Sequence, residues 1–380
     1  MLIRLAQSGH QTKWFALWDK VWAEANLRHA YYAVWRHDGA PGVDGQTIAQ
    51  FKAQESEQLA KLSQELRTGS YRAQPARRVW IPKPGTDEQR PLGIPSVRDR
   101  VVQTALRNVL EPIFECDFAE TSYGFRPGRS CQQAVARVEG LLEAGHIWCV
   151  DCDLKSYFDT IPQDRLMALI QQRVVDGNVL RLVAAYFKAG VMEDLKGWQP
   201  TERGTPQGAV ISPLLANIYL NPLDHAVAKG GWEMVRYADD FVVLCPTAAE
   251  AQAVLDYLRQ WTSEAGLTLH PVKTPIVNAS TEGFDFLGWT FRGGNKWPRK
   301  KSLQKLQEKL RPLTRRTNGL SLGTIVAKAN PTLRGWRAYF KDSHRNGLNG
   351  PDGWLRRRLR AMLRKRQKRP GYGLSKADSQ

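Results

Sequence analysis

Cysteine is scarce and unpatterned: Cys116, Cys131, Cys149, Cys152 and Cys245 are the five in 380 residues. An odd, scattered set argues against a disulfide framework and fits a reducing compartment. Cys149-Val150-Asp151-Cys152 is a lone C-x-x-C in a strand-like run, without a second pair, and reads as structural. No apolar run reaches the ~18 residues of a membrane span. The N-terminus lacks the charged start, apolar run and small-residue cleavage site of a secretion signal. These absences lead us to expect a soluble, cytoplasmic protein with no membrane partner. No internal repeat is present. Acid is short relative to base, with 37 Asp and Glu against 55 Lys and Arg and a formal net charge of +18. That imbalance points to a polyanionic partner, since clustered cations neutralise phosphates and release counterions.

What is present is enough apolar material for sizeable cores, at 42%. At about 150 residues per domain the length suggests two or three domains. Trp14, Trp18, Trp22 and Leu27 fall near helical spacing, and 49–67 reads as an amphipathic helix. Turn chemistry at Ala40-Pro41-Gly42-Val43-Asp44-Gly45 separates them. Arg78–Ile81 is strand-like and is followed by a Pro/Gly turn. Segments 97–115, 130–144 and 248–266 read as helices, as do segments up to about 190. Ile147–Val150 reads as a buried strand, and Phe284–Phe291 as another. The runs Trp232–Arg236 and Phe241–Cys245 flank Tyr237-Ala238-Asp239-Asp240, which suggests a hairpin with acid at its tip.

Asp153 follows a strand, and Asp239 and Asp240 sit on that hairpin. Adjacent strands of one sheet could bring the three together. Converged carboxylates repel one another, so a hard divalent cation is their natural partner. Two such ions could activate an attacking 3′-hydroxyl and stabilise a leaving pyrophosphate. An isolated Asp-Asp pair is more often a solvated turn, so the surrounding blocks matter.

Those blocks, in order, are Arg90-Pro91-Leu92-Gly93-Ile94-Pro95 with Asp99-Arg100-Val101-Val102-Gln103, then Ser122-Tyr123-Gly124-Phe125-Arg126-Pro127-Gly128-Arg129-Ser130. Asp153-Leu154-Lys155-Ser156-Tyr157-Phe158-Asp159 follows, then Gly204-Thr205-Pro206-Gln207-Gly208 and Ile211-Ser212-Pro213-Leu214-Leu215-Ala216-Asn217. Tyr237-Ala238-Asp239-Asp240 and Phe286-Leu287-Gly288-Trp289 complete the set. The series resembles the reverse-transcriptase domain of group II intron-encoded proteins. The resemblance implies an α+β right-hand polymerase of fingers, palm and thumb, with an antiparallel palm sheet and a helical C-terminal maturase-like domain. It implies that Asp153, Asp239 and Asp240 bind two Mg²⁺ ions, with Mn²⁺ as a substitute, and that Asp159 is structural.

Phe158 resembles the steric gate that excludes ribonucleotides, core packing being the alternative. Lys83 and Arg90 resemble finger residues that grip the incoming triphosphate by charge-assisted bonds, against a solvated basic hairpin. Gln207 and Gly208 resemble a nucleotide-binding loop in which glycine admits close backbone approach. Lys273 resembles a residue that protonates pyrophosphate or contacts phosphate. Its neighbours His270 and Pro271 depart from the usual polar pattern. Phe286, Leu287, Gly288 and Trp289 resemble the primer grip, and Gly42-Val43-Asp44-Gly45 a lid-like loop over template and primer.

The C-terminal third is strongly basic: residues 292–316 hold ten Lys/Arg against Glu308 alone, and 356–369 hold nine with no acid. Residues 292–316 alternate basic and apolar positions at helical spacing, which suits a thumb facing a duplex. Pro331–Phe340 and Gly353–Arg360 resemble the family's maturase-specific domain. Their mixture of Trp336, Tyr339, Phe340 and Trp354 with arginine suits structured RNA. The candidate RNA contacts are Arg311, Arg315, Arg316, Arg334, Trp336, Arg337, Arg356, Arg357 and Arg358. The division expected is 1–75 for an N-terminal extension and first fingers motif, 76–291 for fingers and palm, 292–345 for the thumb and 346–380 for a basic tail. No His-Asn-His endonuclease is seen, so an endonuclease-lacking form is expected. The implied function is an RNA-directed DNA polymerase and maturase. Its partners would be structured intron RNA, an RNA template with a DNA primer, target DNA and dNTPs, and the protein would act as monomer or dimer. A splicing-only maturase and a domesticated enzyme of defence or DNA repair are the alternatives.

Overall fold

Helix Val97–Glu115 begins where Ser96 supplies a cap, its hydroxyl accepting from Asp99 N at 3.1 Å. Most of its circumference is buried, which marks it as an interior helix rather than an amphipathic surface one. Ser212–Lys229 is a second interior helix, buried from Ser212 to Val227 with polar Asn217 and Asp224 inside. Helix Gly177–Lys188 starts at Asp176, whose carboxylate caps its own helix at Asn178 N (3.0 Å) and also accepts from Leu17 N at 2.8 Å and Trp18 N at 2.9 Å. One side chain thus satisfies the orphan N–H groups of two segments far apart in the chain.

The computed structural model describes residues 12–82, 89–193, 196–205, 208–271, 274–344 and 347–367. The strands in chain order are β1 (Ala76–Pro82), β2 (Gln89–Ile94), β3 (Trp148–Asp153), β4 (Val191–Glu193), β5 (Gly197–Gln199), β6 (Glu233–Tyr237), β7 (Asp240–Cys245), β8 (Ile276–Asn278), β9 (Phe284–Phe286), β10 (Trp289–Arg292) and β11 (Asn295–Pro298). They form sheets in the orders β2-β1-β4-β5, β6-β7-β3-β8 and β11-β10-β9. The chain divides into two compact units. The first is Met1–Ser130, Cys152–Phe241 and Ala253–Thr274; the second is Cys131–Asp151, Val242–Gln252 and Pro275–Gln380.

In the first unit the β1–β2 hairpin pairs Ile81 with Arg90 and Arg77 with Ile94. The turn at 40–45 is tied to β1 by Arg77 Nε, which donates to Pro41 O at 3.1 Å, and to the helix Val97–Glu115 by Arg100 Nη2, which donates to Ala40 O at 2.6 Å. The N-terminal aromatic stretch is two helices, Trp18–Trp22 and Glu24–His37, parted at extended Ala23. The helix expected over 49–67 is likewise two, Ile48–Ala53 and Glu55–Thr68, parted at Gln54.

The second unit corrects two expectations. Phe284–Phe291 is a tight hairpin, β9 and β10, and not one strand. Leu287 (φ 46°) and Gly288 (φ 86°) form its turn, and Phe286 faces Trp289. A two-residue turn with both φ angles positive matches the twist of an antiparallel pair. Residues 292–316 are helical only over Lys300–Leu310, with β11 before it. The turn is held from two helices: Tyr339 Oη, from Leu322–Tyr339, donates to Leu287 O at 2.6 Å, and Ser302 Oγ, from Lys300–Leu310, donates to Gly288 O at 3.0 Å. Trp289 packs edge-on to Phe340 with ring centroids 4.7 Å apart. Leu306, Leu310 and Ala329 form a small buried core to which Leu333 and Trp336 add. Tyr339→Phe should therefore lower stability by about 0.5–1.5 kcal/mol in chemical denaturation. An unchanged midpoint would show that this hydroxyl does not hold the turn.

Candidate active site

The acidic turn is built around an arginine. Arg236, at the last position but one of β6, is fully buried together with Asp224. Its guanidinium grips that carboxylate with both arms, Nε to Oδ1 at 2.6 Å and Nη2 to Oδ2 at 2.5 Å. Its remaining Nη1 donates to Asn217 Oδ1 at 3.0 Å and Ala238 O at 2.9 Å. Asn217 and Asp224 lie seven residues apart, two turns along one helix face. Burial raises the Asp224 carboxyl against the pull of Arg236, while the arginine stays firmly charged.

The neighbouring Ser122–Arg126 block closes on the same turn. Tyr123 N donates to Arg236 O at 2.8 Å, and Arg236 N to Thr121 O at 2.9 Å. Asn217 Nδ2 donates to Gly124 O at 2.8 Å. A Cβ on Gly124 would sit 2.3 Å from Ala238 N, so only glycine lets the two backbones meet. Ala238 itself is left-handed (φ 61°), as is Phe125 (φ 57°). Such backbone costs roughly 1–2 kcal/mol at a residue with a Cβ.

This frame presents Asp239. Burial raises its carboxyl above the ordinary range and the Asp153 carboxylate raises it further, while its own backbone N–H, Arg90 and Arg236 oppose them. The structure thus brings Asp153, Asp239 and Arg90 into one electrostatic neighbourhood. Asp240 opens β7 with an exposed side chain. Among the described residues no three His, Cys, Asp or Glu side chains are gathered as a ready metal cage. Two half-buried carboxylates, Asp153 and Asp239, set close enough for one to raise the other, are nonetheless a hard-oxygen donor set that fits a divalent cation.

Other expected residues fall around it. Phe158 is half-buried in the short helix Tyr157–Thr160. Its carbonyl accepts from Thr205 N at 2.7 Å, which ties the Gly204-Thr205 block to the Phe158 backbone. His270 N donates to Asp153 O at 2.8 Å, so the segment leading toward Lys273 runs beside Asp153. Gly208 (φ 101°) has its close neighbour in Gly93 O, 2.5 Å from where a Cβ would lie. The approach that this glycine permits is to β2. Lys83, Gln207 and Lys273 lie outside the described residues.

In the second unit Arg311, Arg315, Arg316, Arg334, Arg337, Arg356 and Arg357 are exposed. The other two expected RNA contacts are half-buried. Trp336 packs on the Leu306–Leu310–Ala329 core. Arg358 Nε donates to Thr314 Oγ1 at 2.7 Å while the guanidinium lies 5.2 Å over Trp354. Helical spacing placed both among basic neighbours, yet their faces carry the apolar side chains that pack.

Residues 81–291 match the model of the reverse transcriptase (RNA-dependent DNA polymerase) family. The chain belongs to this family. Residues 303–377 match the group II intron maturase-specific domain, so this is a reverse transcriptase/maturase of the group II intron type, an RNA-dependent DNA polymerase with the α+β right-hand fold class. Protein YkfC of Escherichia coli (strain K12) is 36% identical over 289 residues, 65% of this chain and 74% of that protein. Group II intron-encoded protein LtrA of Lactococcus lactis subsp. cremoris is 42% identical over 175 residues, 46% of this chain and 28% of that one. An uncharacterized 91 kDa protein in the cob intron of Schizosaccharomyces pombe is 30% identical over 289 residues, 60% of this chain and 35% of that one. The chain spans about a third or less of the length of the latter two relatives. The reverse transcriptase family generally uses divalent metal ions, and the two matched domains imply RNA and DNA partners. No described helix is long and apolar enough to cross a membrane.

Sequence reasoning missed Arg236 and Asp224. Each is a charge within an apolar stretch, Met234–Val235 before one and Leu223 before the other, and a lone charge there signals a buried pair. Asp224→Ala would strand the buried guanidinium and should cost about 3–5 kcal/mol in chemical denaturation, whereas the double replacement Asp224→Leu with Arg236→Met should recover much of that loss. A loss below about 1 kcal/mol in the single variant would overturn the pairing. A second expectation follows from Asp239. Its raised carboxyl favours the protonated fold, so its contribution is present below the ordinary carboxylate range and is lost as pH rises through its folded value. In chelator, Asp239→Asn should gain stability relative to wild type as pH rises to neutrality. A variant less stable than wild type at neutral pH, but not in acid, would contradict this sign.

Proposed function

We propose that this reverse transcriptase copies intron RNA into DNA at Asp153, Asp239 and Asp240 and binds the same intron RNA to assist splicing and mobility. The observation that carries the proposal is Asp239: a half-buried carboxylate set against Asp153, with Arg90 as counter-charge. The three aspartates would hold Mg²⁺, in a pair, with Mn²⁺ as a substitute. When bound, such ions supply positive charge for activating a 3′-hydroxyl and for the leaving pyrophosphate.

The chain's own groups do the rest. Arg90, and Lys83 across the turn, would grip the dNTP triphosphate. Phe158 would lie under the sugar and clash with a 2′-hydroxyl, with Gln207 and Gly208 flanking the nucleotide. Lys273 would deliver a proton to pyrophosphate. The Leu287–Gly288 turn, with Phe286 and Trp289, would seat the primer strand. We assign fingers and palm to 76–291, the thumb to 292–345 and a basic end to 346–380. Intron RNA would meet the exposed Arg311, Arg315, Arg316, Arg334, Arg337, Arg356 and Arg357. Target DNA would be a further partner, with the protein acting in the cytoplasm or nucleoid.

Primer extension on an RNA template with Mg²⁺, run beside an intron-RNA binding assay at moderate salt, separates the two activities. Asp239→Asn should reduce extension by at least about a hundredfold and leave RNA affinity within a small factor. Retained extension would overturn the catalytic assignment. Equal affinity of the wild type for structured intron RNA and unrelated RNA would overturn the maturase part.

A further inference from the structure

Phe125 is half exposed, at 50%, in a left-handed backbone with φ 57°. An aromatic side chain favours neither condition. Both are imposed by its neighbours. Gly124 is pressed on the Tyr237–Ala238 peptide and bonded through its carbonyl to Asn217. Arg126 is buried, with Nη1 donating to Ser122 O at 2.8 Å and Nη2 paired with Glu115 at 2.8 Å. With both flanking residues locked, the Phe125 ring is held outward. It lies 6.4 Å from the ring of Tyr237, centroid to centroid, at an interplanar angle of 45°. Tyr237 stands two residues before Asp239.

We propose that Phe125, with Tyr237, forms an aromatic platform against which the terminal base pair of the primer–template duplex packs. The inference rests on the polymerase reading of Asp153 and Asp239. It adds a duplex contact to that site. A phenyl ring offers neither charge nor hydrogen bond, so it suits a position that every base pair must pass through, where contact has to tolerate any sequence. The charged triphosphate of the incoming nucleotide is recognised by other chemistry. Backbone strain kept at a residue beside a reaction centre fits a role in function, since the fold gains nothing from exposing that ring.

The test compares Phe125→Gly and Phe125→Trp with wild type. Three quantities are read: the Kd of an RNA-template/DNA-primer duplex without dNTPs, the KM for dNTP, and the thermal midpoint. Glycine accepts φ 57°, so Phe125→Gly should hold or raise the thermal midpoint. The same variant should bind the duplex about tenfold more weakly, within the reach of one lost base–aromatic contact. Phe125→Trp should restore duplex binding. An unchanged duplex Kd in Phe125→Gly would overturn the proposal. So would a weaker Kd accompanied by a lower thermal midpoint, which marks a structural role, or a shift confined to the KM for dNTP, which marks a contact to the incoming nucleotide. Duplex binding is measured without turnover, so a wild type that binds the duplex but fails to extend it would count against the polymerase reading and leave the platform standing.

Discussion

The pairing of Arg236 with Asp224 is the constraint on which the acidic turn depends. Neither group is solvent-accessible, so each would be intolerable alone. A buried ion pair adds little net stability compared with a well-packed apolar pair of the same volume, because desolvation consumes most of the Coulomb attraction. What it adds here is geometry. A guanidinium has five N–H donors in a rigid fork. Two arms fix it on Asp224, and a third nitrogen spans Asn217 and Ala238. The helix Ser212–Lys229 is thereby registered against β6 and against the carbonyl one residue before Asp239. An apolar replacement could fill the volume but could not hold that carbonyl.

The local terms around this frame are unfavourable when taken singly. Ala238 and Phe125 are left-handed without being glycine. Asp239 is driven toward its neutral form by burial and by Asp153. Strain and like-charge proximity of this kind persist only where the surroundings over-determine them. The interior helices Val97–Glu115 and Ser212–Lys229, with their nearly continuous burial, supply that rigidity. A cation bound between Asp153 and Asp239 would relieve that repulsion.

Much of this was legible in the sequence where burial and period agree. Helix Val97–Glu115 and strands β3, β6 and β7 fall where their apolar patterns put them, and the ordered motif blocks led to the family. The misses have identifiable causes. Leu287 is a poor residue for positive φ, so nothing local announced the β9–β10 turn; Tyr339 and Ser302, distant in sequence, hold it. Gln54 interrupts an otherwise continuous helical pattern, and Thr47 caps the short piece before it through a capping box. Arg236 was read as the edge of an apolar run because its partner lies twelve residues away on another element. Arg358 and Trp336 were read from composition, which cannot distinguish the packed face of a basic helix from its open one.

That distinction bears on the polyanion argument itself. Net charge counts every cation equally, but several in this chain are committed to the fold. Arg126 is buried on Glu115, Arg173 on Asp117, Lys296 on Glu139 and Arg236 on Asp224. Such groups cannot release counterions from phosphate, because they are already desolvated and bonded. Affinity for nucleic acid can therefore draw only on the exposed cations, a smaller set than the formal +18 suggests. The strongly basic composition reflects two separate demands: carboxylates that need burying partners inside, and phosphates that need open ones outside.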